Sequence, residues 1–142
     1  NRAAHALLVR APDVPVVVHD WWLYLLVTGC GGRVRYDPEP AIDYRQHGGN
    51  QIGSAAGLSE RLGRLRAALR GRIAQWNEVN DRALARVEPM LSAEARRVLA
   101  AFRAARRGGV VSRLRHLADS GVWRQTAAGT LSLWAGALAN RL

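Results

Sequence analysis

The chain has 142 residues, of which 49% are hydrophobic, and this composition excludes a disordered protein and fits one ordinary domain with a core. A single cysteine, Cys30, excludes an internal disulfide and a cysteine-based metal site. It fits a reducing compartment, most simply the cytoplasm. The formal net charge of +10 points to an anionic partner.

The positive charge is concentrated in the second part of the chain. Residues 1–56 carry five arginines and five acidic residues, whereas residues 57–142 carry sixteen arginines against six acidic residues. Two interpretations stay open. The arginines either face a phospholipid surface, a lipid diphosphate or nucleic acid, or they lie on solvated helix faces.

The first elements in chain order are a short helix and a buried helix. Residues 2–10 are predicted to be helical with Asn1 as the N-cap, and Pro12 and Pro15 then interrupt the chain. Four of the five residues 14–18 are the β-branched valine, and the segment favours a short strand or an extended conformation. The apolar run WWLYLLV that follows predicts a buried helix over 21–29, with Asp20 at the N-cap position.

Two half-buried strands are predicted next, because residues 33–37 and 41–47 both alternate polar and apolar side chains. After about Gly57 the pattern is helical. Apolar residues at three- and four-residue spacing form one amphipathic stripe, made of Leu58, Leu62, Leu65, Leu69, Ile73 and Trp76, which continues towards Val87.

Three further helices are predicted towards the end. Ser92 is the expected N-cap of a helix that runs to about Arg106, where Gly108 and Gly109 interrupt it. The other two cover about 110–119 and from about Arg124 to the end. The composition changes near residue 55, which divides the chain into a mixed α and β part, 1–55, and a basic helical extension, 56–142.

Two segments of the first part carry candidate functional residues. The sequence VVVHDWW (16–22) places the carboxylate of Asp20 where an extended segment meets a helix start, a junction suited to ligand contact and general-base chemistry. The alternative is that Asp20 only caps the helix. In YRQHGGN (44–50), Arg45 and His47 would share one face of a strand and suit a phosphate or its metal, although a solvent-facing strand end would look the same.

The order HDWW, helix, glycine turn, two short strands and YRQHGGNQIG resembles the second half of bacterial family 2 glycosyltransferases, most closely the rhamnosyltransferase-like enzymes. The resemblance covers about residues 1–54, and GVWRQTAAGTLSLW (121–134) is similar to a segment near the end of such enzymes. The implied fold is mainly α with a small β element. It would be the acceptor-side fragment of a GT-A type α/β enzyme, followed by a helical extension.

The resemblance also implies site residues. Asp20 matches the family's catalytic base, with His19 in place of the usual glutamate, and His19 and Trp21 would face the acceptor. Arg45 and His47 match the family's Arg-x-His element, and Asn50 matches its extension. These three would contact the donor diphosphate, with His47 also at a divalent metal, Mg or Mn.

The nucleotide-binding half of the family, with its Asp-x-Asp motif, has no counterpart in this sequence. The chain is therefore expected to be part of a longer protein, to lack activity alone, and to leave the metal mainly to the absent half. The expected activity is inverting sugar transfer from a nucleotide-diphosphate donor to a hydroxyl of a saccharide acceptor. The helical tail would suit an acceptor that is carried on lipid.

The tail leaves several partners open. Residues 125–140 carry no charge, and Arg124 and Arg141 bracket them, which fits a helix in the interface of the inner membrane surface with Leu131, Trp134 and Leu138 inward. A core helix is the alternative, and a homodimer is a further possibility. The rival function is a non-enzymatic basic helical module that binds nucleic acid or an acidic partner, although no known nucleic-acid-binding signature is present.

Overall fold

The computed structural model describes residues 1–39, 71–124 and 126–142, and these residues are mainly helical. Six α-helices and one 3-10 helix lie in these ranges. The α-helices are α1 (Arg2–Arg10), α2 (His19–Gly29), α3 (Arg72–Arg86), α4 (Ala93–Arg107), α5 (Val110–Ser120) and α6 (Ala127–Leu138), and the 3-10 helix is Glu88–Met90. The mainly helical fold class predicted from the sequence is confirmed.

Side-chain caps fix the starts of three helices. The Asn1 side chain accepts a hydrogen bond from the backbone N–H of Ala4, at 3.0 Å, and the Ser92 hydroxyl accepts one from Ala95, at 3.1 Å. Both caps were predicted. The third cap is Thr126, so α6 begins at Ala127, a few residues later than predicted.

The predicted strand over residues 33–37 is absent from the described part of the chain. Residues 33–38 form no regular element, and the Val34 and Tyr36 side chains are 53% and 83% exposed. An alternating segment forms a strand only where a partner strand and a buried face stabilise it, and the described part of the chain supplies neither for residues 33–39. The second predicted strand, 41–47, lies outside the described residues.

Two apolar clusters form the core. The first is built by α2, α3 and the turn after α3, and its buried members are Trp22, Leu26, Ala83, Val87 and Leu91. The second is built by α4, α5, α6 and the last residue, and its buried members are Ala105, Leu117, Leu133, Ala137 and Leu142. Leu26 and Leu117 are at most 1% exposed, so each cluster has a fully buried centre.

Ion pairs join α3 to α4 alongside the first cluster. Arg103 donates hydrogen bonds to Asp81 and to Glu88, the latter at 3.0 Å. Arg106 donates to Glu78 at 2.8 Å and lies 3.6 Å from the second carboxylate oxygen of Asp81. Burial alone would lower the pKa of Arg103, but the hydrogen bonds to Asp81 and Glu88 outweigh it and raise that pKa above its ordinary value.

Glycines set two of the helix boundaries. Gly71 has a left-handed backbone (φ +84°) immediately before α3, and Gly121 (φ +64°) ends α5. The part of the predicted stripe that precedes Gly71 lies outside the described residues. Among the helices described, none combines the length and the apolar character needed to cross a membrane.

Candidate functional site

The first candidate residue, Asp20, lies in the first turn of α2. Residues 12–17 carry no helix, Val18 is extended (φ −141°, ψ 126°), and α2 begins at His19. The backbone N–H of Trp22 donates to the carbonyl of Val18 at 3.0 Å, which makes Val18 the N-cap. The helix thus starts two residues earlier than predicted, and Asp20 is not its cap.

The carboxylate of Asp20 forms no capping hydrogen bond with a backbone N–H at the helix start. Its side chain is 78% exposed, and its Oδ1 lies 2.8 Å from His19 Nε2, on a side chain that is 89% exposed. A carboxylate in a first turn is also stabilised by the partial positive charge of the helix N-terminus. The Asp20 carboxylate is therefore accessible as a hydrogen-bond acceptor, with His19 as its one neighbouring partner in the described structure.

Asp20 lines a large groove between α2, α3 and α4, with a volume of about 930 Å³, which we call the α2–α4 groove. Most of the lining is apolar, with Leu84, Leu91, Val98 and Leu99 among the contributing side chains. Polar groups interrupt that lining on all three helices and the turn before α4. They belong to Asp20, Tyr24, Thr28, Asn77, Asn80, Asp81, Ser92 and Glu94.

Two tryptophans lie beside Asp20. Trp21 is 43% exposed and meets Trp76 of α3 edge to face, with ring centroids 5.4 Å apart and planes at 77°. The Arg72 guanidinium lies over the Trp76 ring, 4.7 Å from its centroid. Trp22 is 7% exposed and is a buried member of the first cluster.

The α3 wall of the groove contains polar residues that sequence reasoning missed. Asn80 is 8% exposed, and its Oδ1 has no hydrogen-bond partner in the described structure. A buried amide oxygen without a partner raises the free energy of the free protein. Asn77, Asn80 and Asp81 share one side of α3 by three- and four-residue spacing, and this polar stripe beside an apolar one was the available signal.

The donor-side residues cannot be compared with Asp20. Arg45, His47 and Asn50 lie outside the described residues, so their predicted proximity to Asp20 stays a prediction. Within residues 1–39, 71–124 and 126–142, no group of three or more His, Cys, Asp or Glu side chains could hold a metal ion. The metal role predicted for His47 falls on a residue that the structure does not describe.

Cys30, at the end of α2, has a structural role. The residue is partly buried and packs against the first cluster. Burial raises the pKa of its thiol, and the Arg10 guanidinium lowers it by less. A raised pKa leaves little thiolate at neutral pH, which argues against a nucleophilic cysteine.

Comparisons with known proteins add no relative. No family model matches the chain, and no curated protein or solved structure is significantly similar to it. The family resemblance of HDWW and YRQHGGN therefore stays a prediction from those motifs.

Proposed function

We propose that this chain is the acceptor-side part of an inverting family 2 glycosyltransferase, with Asp20 as the general base. The observation that carries the proposal is the exposed carboxylate of Asp20 at the edge of the α2–α4 groove. A base must reach the hydroxyl it deprotonates, and this carboxylate is neither buried nor used by a helix cap.

The proposed step is a direct displacement. The acceptor hydroxyl gives its proton to Asp20 while its oxygen forms a bond to the anomeric carbon of the donor. The bond from that carbon to the nucleotide diphosphate breaks on the opposite face, and the diphosphate leaves with the electron pair. The result is inversion at the anomeric carbon, with the proton held on Asp20.

The groove has the composition that a saccharide acceptor requires. Sugars present hydroxyl groups together with apolar C–H faces, so their sites combine aromatic rings with hydrogen-bonding side chains. Trp21 offers a partly exposed ring beside Asp20, and Asn77 and Ser92 offer hydrogen-bonding side chains along the lining. His19 lies 2.8 Å from Asp20 and is itself exposed, beside the carboxylate but outside the lining of the groove.

Donor binding belongs to residues beyond those described. In the proposal Arg45, His47 and Asn50 contact the donor diphosphate. A divalent cation, Mg or Mn, would offset the charge of that diphosphate and is held mainly by the nucleotide-binding half of the protein. The acceptor is a saccharide in cell-surface polysaccharide synthesis, carried on lipid at the cytoplasmic face of the membrane.

The decisive experiment replaces Asp20 by Asn in the full-length protein that contains this chain. Transfer from a panel of radiolabelled nucleotide-diphosphate sugars to membrane-extracted acceptor should fall at least about 100-fold, because the amide keeps the shape but cannot take the proton. Calorimetric binding of the donor should stay close to that of the wild type.

Asp37→Asn is the matched control, since Asp37 is also an exposed carboxylate but lies outside the groove lining. It should leave transfer unchanged. Near-normal turnover by Asp20→Asn would show that another group is the base.

One observation favours the rival reading, a basic module that binds nucleic acid or an acidic partner. Nine of the twelve arginines in residues 71–142 are exposed. Titration of the chain with duplex DNA at two salt concentrations separates the readings, because phosphate contacts produce a steep loss of affinity with salt. No binding at low salt would remove nucleic acid as the partner.

A further inference from the structure

Helix α6 buries only one of its two apolar faces. Leu133 and Ala137 lie in the second cluster, at 8% and 0% exposure. On the other side, Leu131 and Leu138 are 70% and 54% exposed, two helical turns apart on one face. Trp134, which the sequence analysis placed with these two leucines, is instead packed against the second cluster.

A further exposed apolar side chain, Trp123, precedes the helix start and is 72% exposed. The next residue, Arg124, bonds through both its N–H and its carbonyl to the Thr130 hydroxyl, at 3.1 Å each, which fixes the preceding loop against α6. We call Leu131 and Leu138, together with Ala128 and Ala135 on the same side of the helix, the α6 outer face.

The charged side chains of residues 120–142 are all positive. Residues 125–140 carry none, exposed Arg124 and Arg141 bracket them, and no acidic side chain occurs after Asp119. An apolar helix face with arginines at its two ends matches the boundary between the acyl chains and the headgroups of an anionic bilayer. Nucleic acid would engage the arginines but leave the apolar side chains in water.

A second copy of the chain fits this face less well. Two α6 outer faces packed on each other, parallel or antiparallel, would bring the arginines of one copy near those of the other. No acidic residue of 120–142 could offset that repulsion.

We propose that the α6 outer face is a docking surface for anionic membranes, with α6 lying in the plane of the interface. Its 12 residues are fewer than the roughly 20 needed to span a bilayer. Docking rests on the exposed side chains alone and does not require glycosyl transfer. The two proposals can therefore fail separately: vesicle binding tests the docking surface, and the activity of Asp20→Asn tests the proposed glycosyl transfer.

The test is co-sedimentation of the 142-residue chain with sucrose-loaded vesicles of phosphatidylcholine alone, or of equal parts phosphatidylcholine and phosphatidylglycerol. The chain should pellet with the anionic vesicles and stay in solution with the neutral ones. Replacing both leucines, Leu131→Ser and Leu138→Ser, should weaken the partition coefficient about tenfold. Replacing both arginines, Arg124→Gln and Arg141→Gln, should weaken it by a similar factor.

The matched control replaces Leu8 and Val9 of α1 by Ser, since these side chains are 41% and 70% exposed but lie far from α6 in sequence. It should bind vesicles like the wild type. Circular dichroism checks that each variant is folded. The proposal is overturned if the wild type does not pellet with anionic vesicles, or if the double leucine variant pellets as well as the wild type. It is also overturned if light scattering shows a dimer that the leucine variant dissociates.

Discussion

Two aspartates line the same α2–α4 groove from different helices, and their surroundings differ sharply. Asp20 on α2 is 78% exposed, and its one partner is the adjacent His19. The Asp81 side chain on α3 is 16% exposed, and both of its oxygens are engaged by Arg103 and Arg106. One carboxylate is available to a ligand, and the other is committed to holding α3 against α4.

This difference separates stability from chemistry within one groove. A carboxylate with two guanidinium partners stabilises the fold, and its removal leaves each of two largely buried guanidinium groups with only one, more exposed carboxylate partner. An exposed carboxylate contributes little to stability, because solvent screens its charge and its side chain is free to move. Lining a groove does not by itself make a residue functional. The number of ion-pair partners of each aspartate is a better guide to its role.

The largest expected effect on stability follows from Asp81. Asp81→Asn should lower the free energy of unfolding by about 2–3 kcal/mol, since Arg103 and Arg106 lose their shared anion while mostly buried. Asp20→Asn should change it by less than about 0.5 kcal/mol. Urea unfolding of the chain, followed by circular dichroism, measures both. Equal effects of the two substitutions would contradict the distinction drawn between the carboxylates.

The local features of this fold could be predicted from the sequence. Asn1 and Ser92 cap helices because their short polar side chains follow the known preference, and Gly108 with Gly109 separates α4 from α5 as expected. The start of α2 was misplaced because no side-chain cap marks it. Asp20 was expected to be the cap because it precedes the apolar run that begins at Trp21, whereas the helix starts directly after the extended residue Val18.

The groove could be predicted only in part. The junction before α2 pointed to Asp20, but nothing local indicated that Asn77, Asn80 and Asp81 would line the same groove. That wall depends on pairs distant in sequence, such as Arg103 with Asp81, 22 residues apart. Periodicity gives the face of a helix that is apolar, not the helix that packs against it.

A smaller effect is expected at the Trp21–Trp76 contact, which joins the Asp20 end of α2 to α3. Edge-to-face aromatic pairs contribute about 0.5–1.5 kcal/mol beyond their burial. A double-mutant cycle with Trp21→Leu, Trp76→Leu and the combined variant should give a coupling energy in that range in urea unfolding. Additive effects would mean that the two rings do not stabilise each other, and that the Asp20 end is held by Trp22 and Leu26 alone.

The smallest expected effect concerns pH and the outer end of the ion-pair network. Glu78 accepts hydrogen bonds from Arg106 at 2.8 Å and from Arg82 at 3.2 Å, and these two bonds lower its pKa below the ordinary value of 4.5. A pKa that is lower in the folded state contributes stability above the unfolded value. That contribution is lost as the pH falls through the folded pKa.

The wild type should therefore be slightly more stable than Glu78→Gln at neutral pH, and the difference should decrease as the pH falls below 4.5 and vanish below the folded pKa. Urea unfolding of both proteins at a series of pH values measures it. Glu94→Gln is the control, because Glu94 is exposed on α4 and forms no ion pair with the residues described. A difference between wild type and Glu78→Gln that stayed constant as the pH fell would show that packing of the glutamate, rather than its charge, stabilises the junction of α3 and α4.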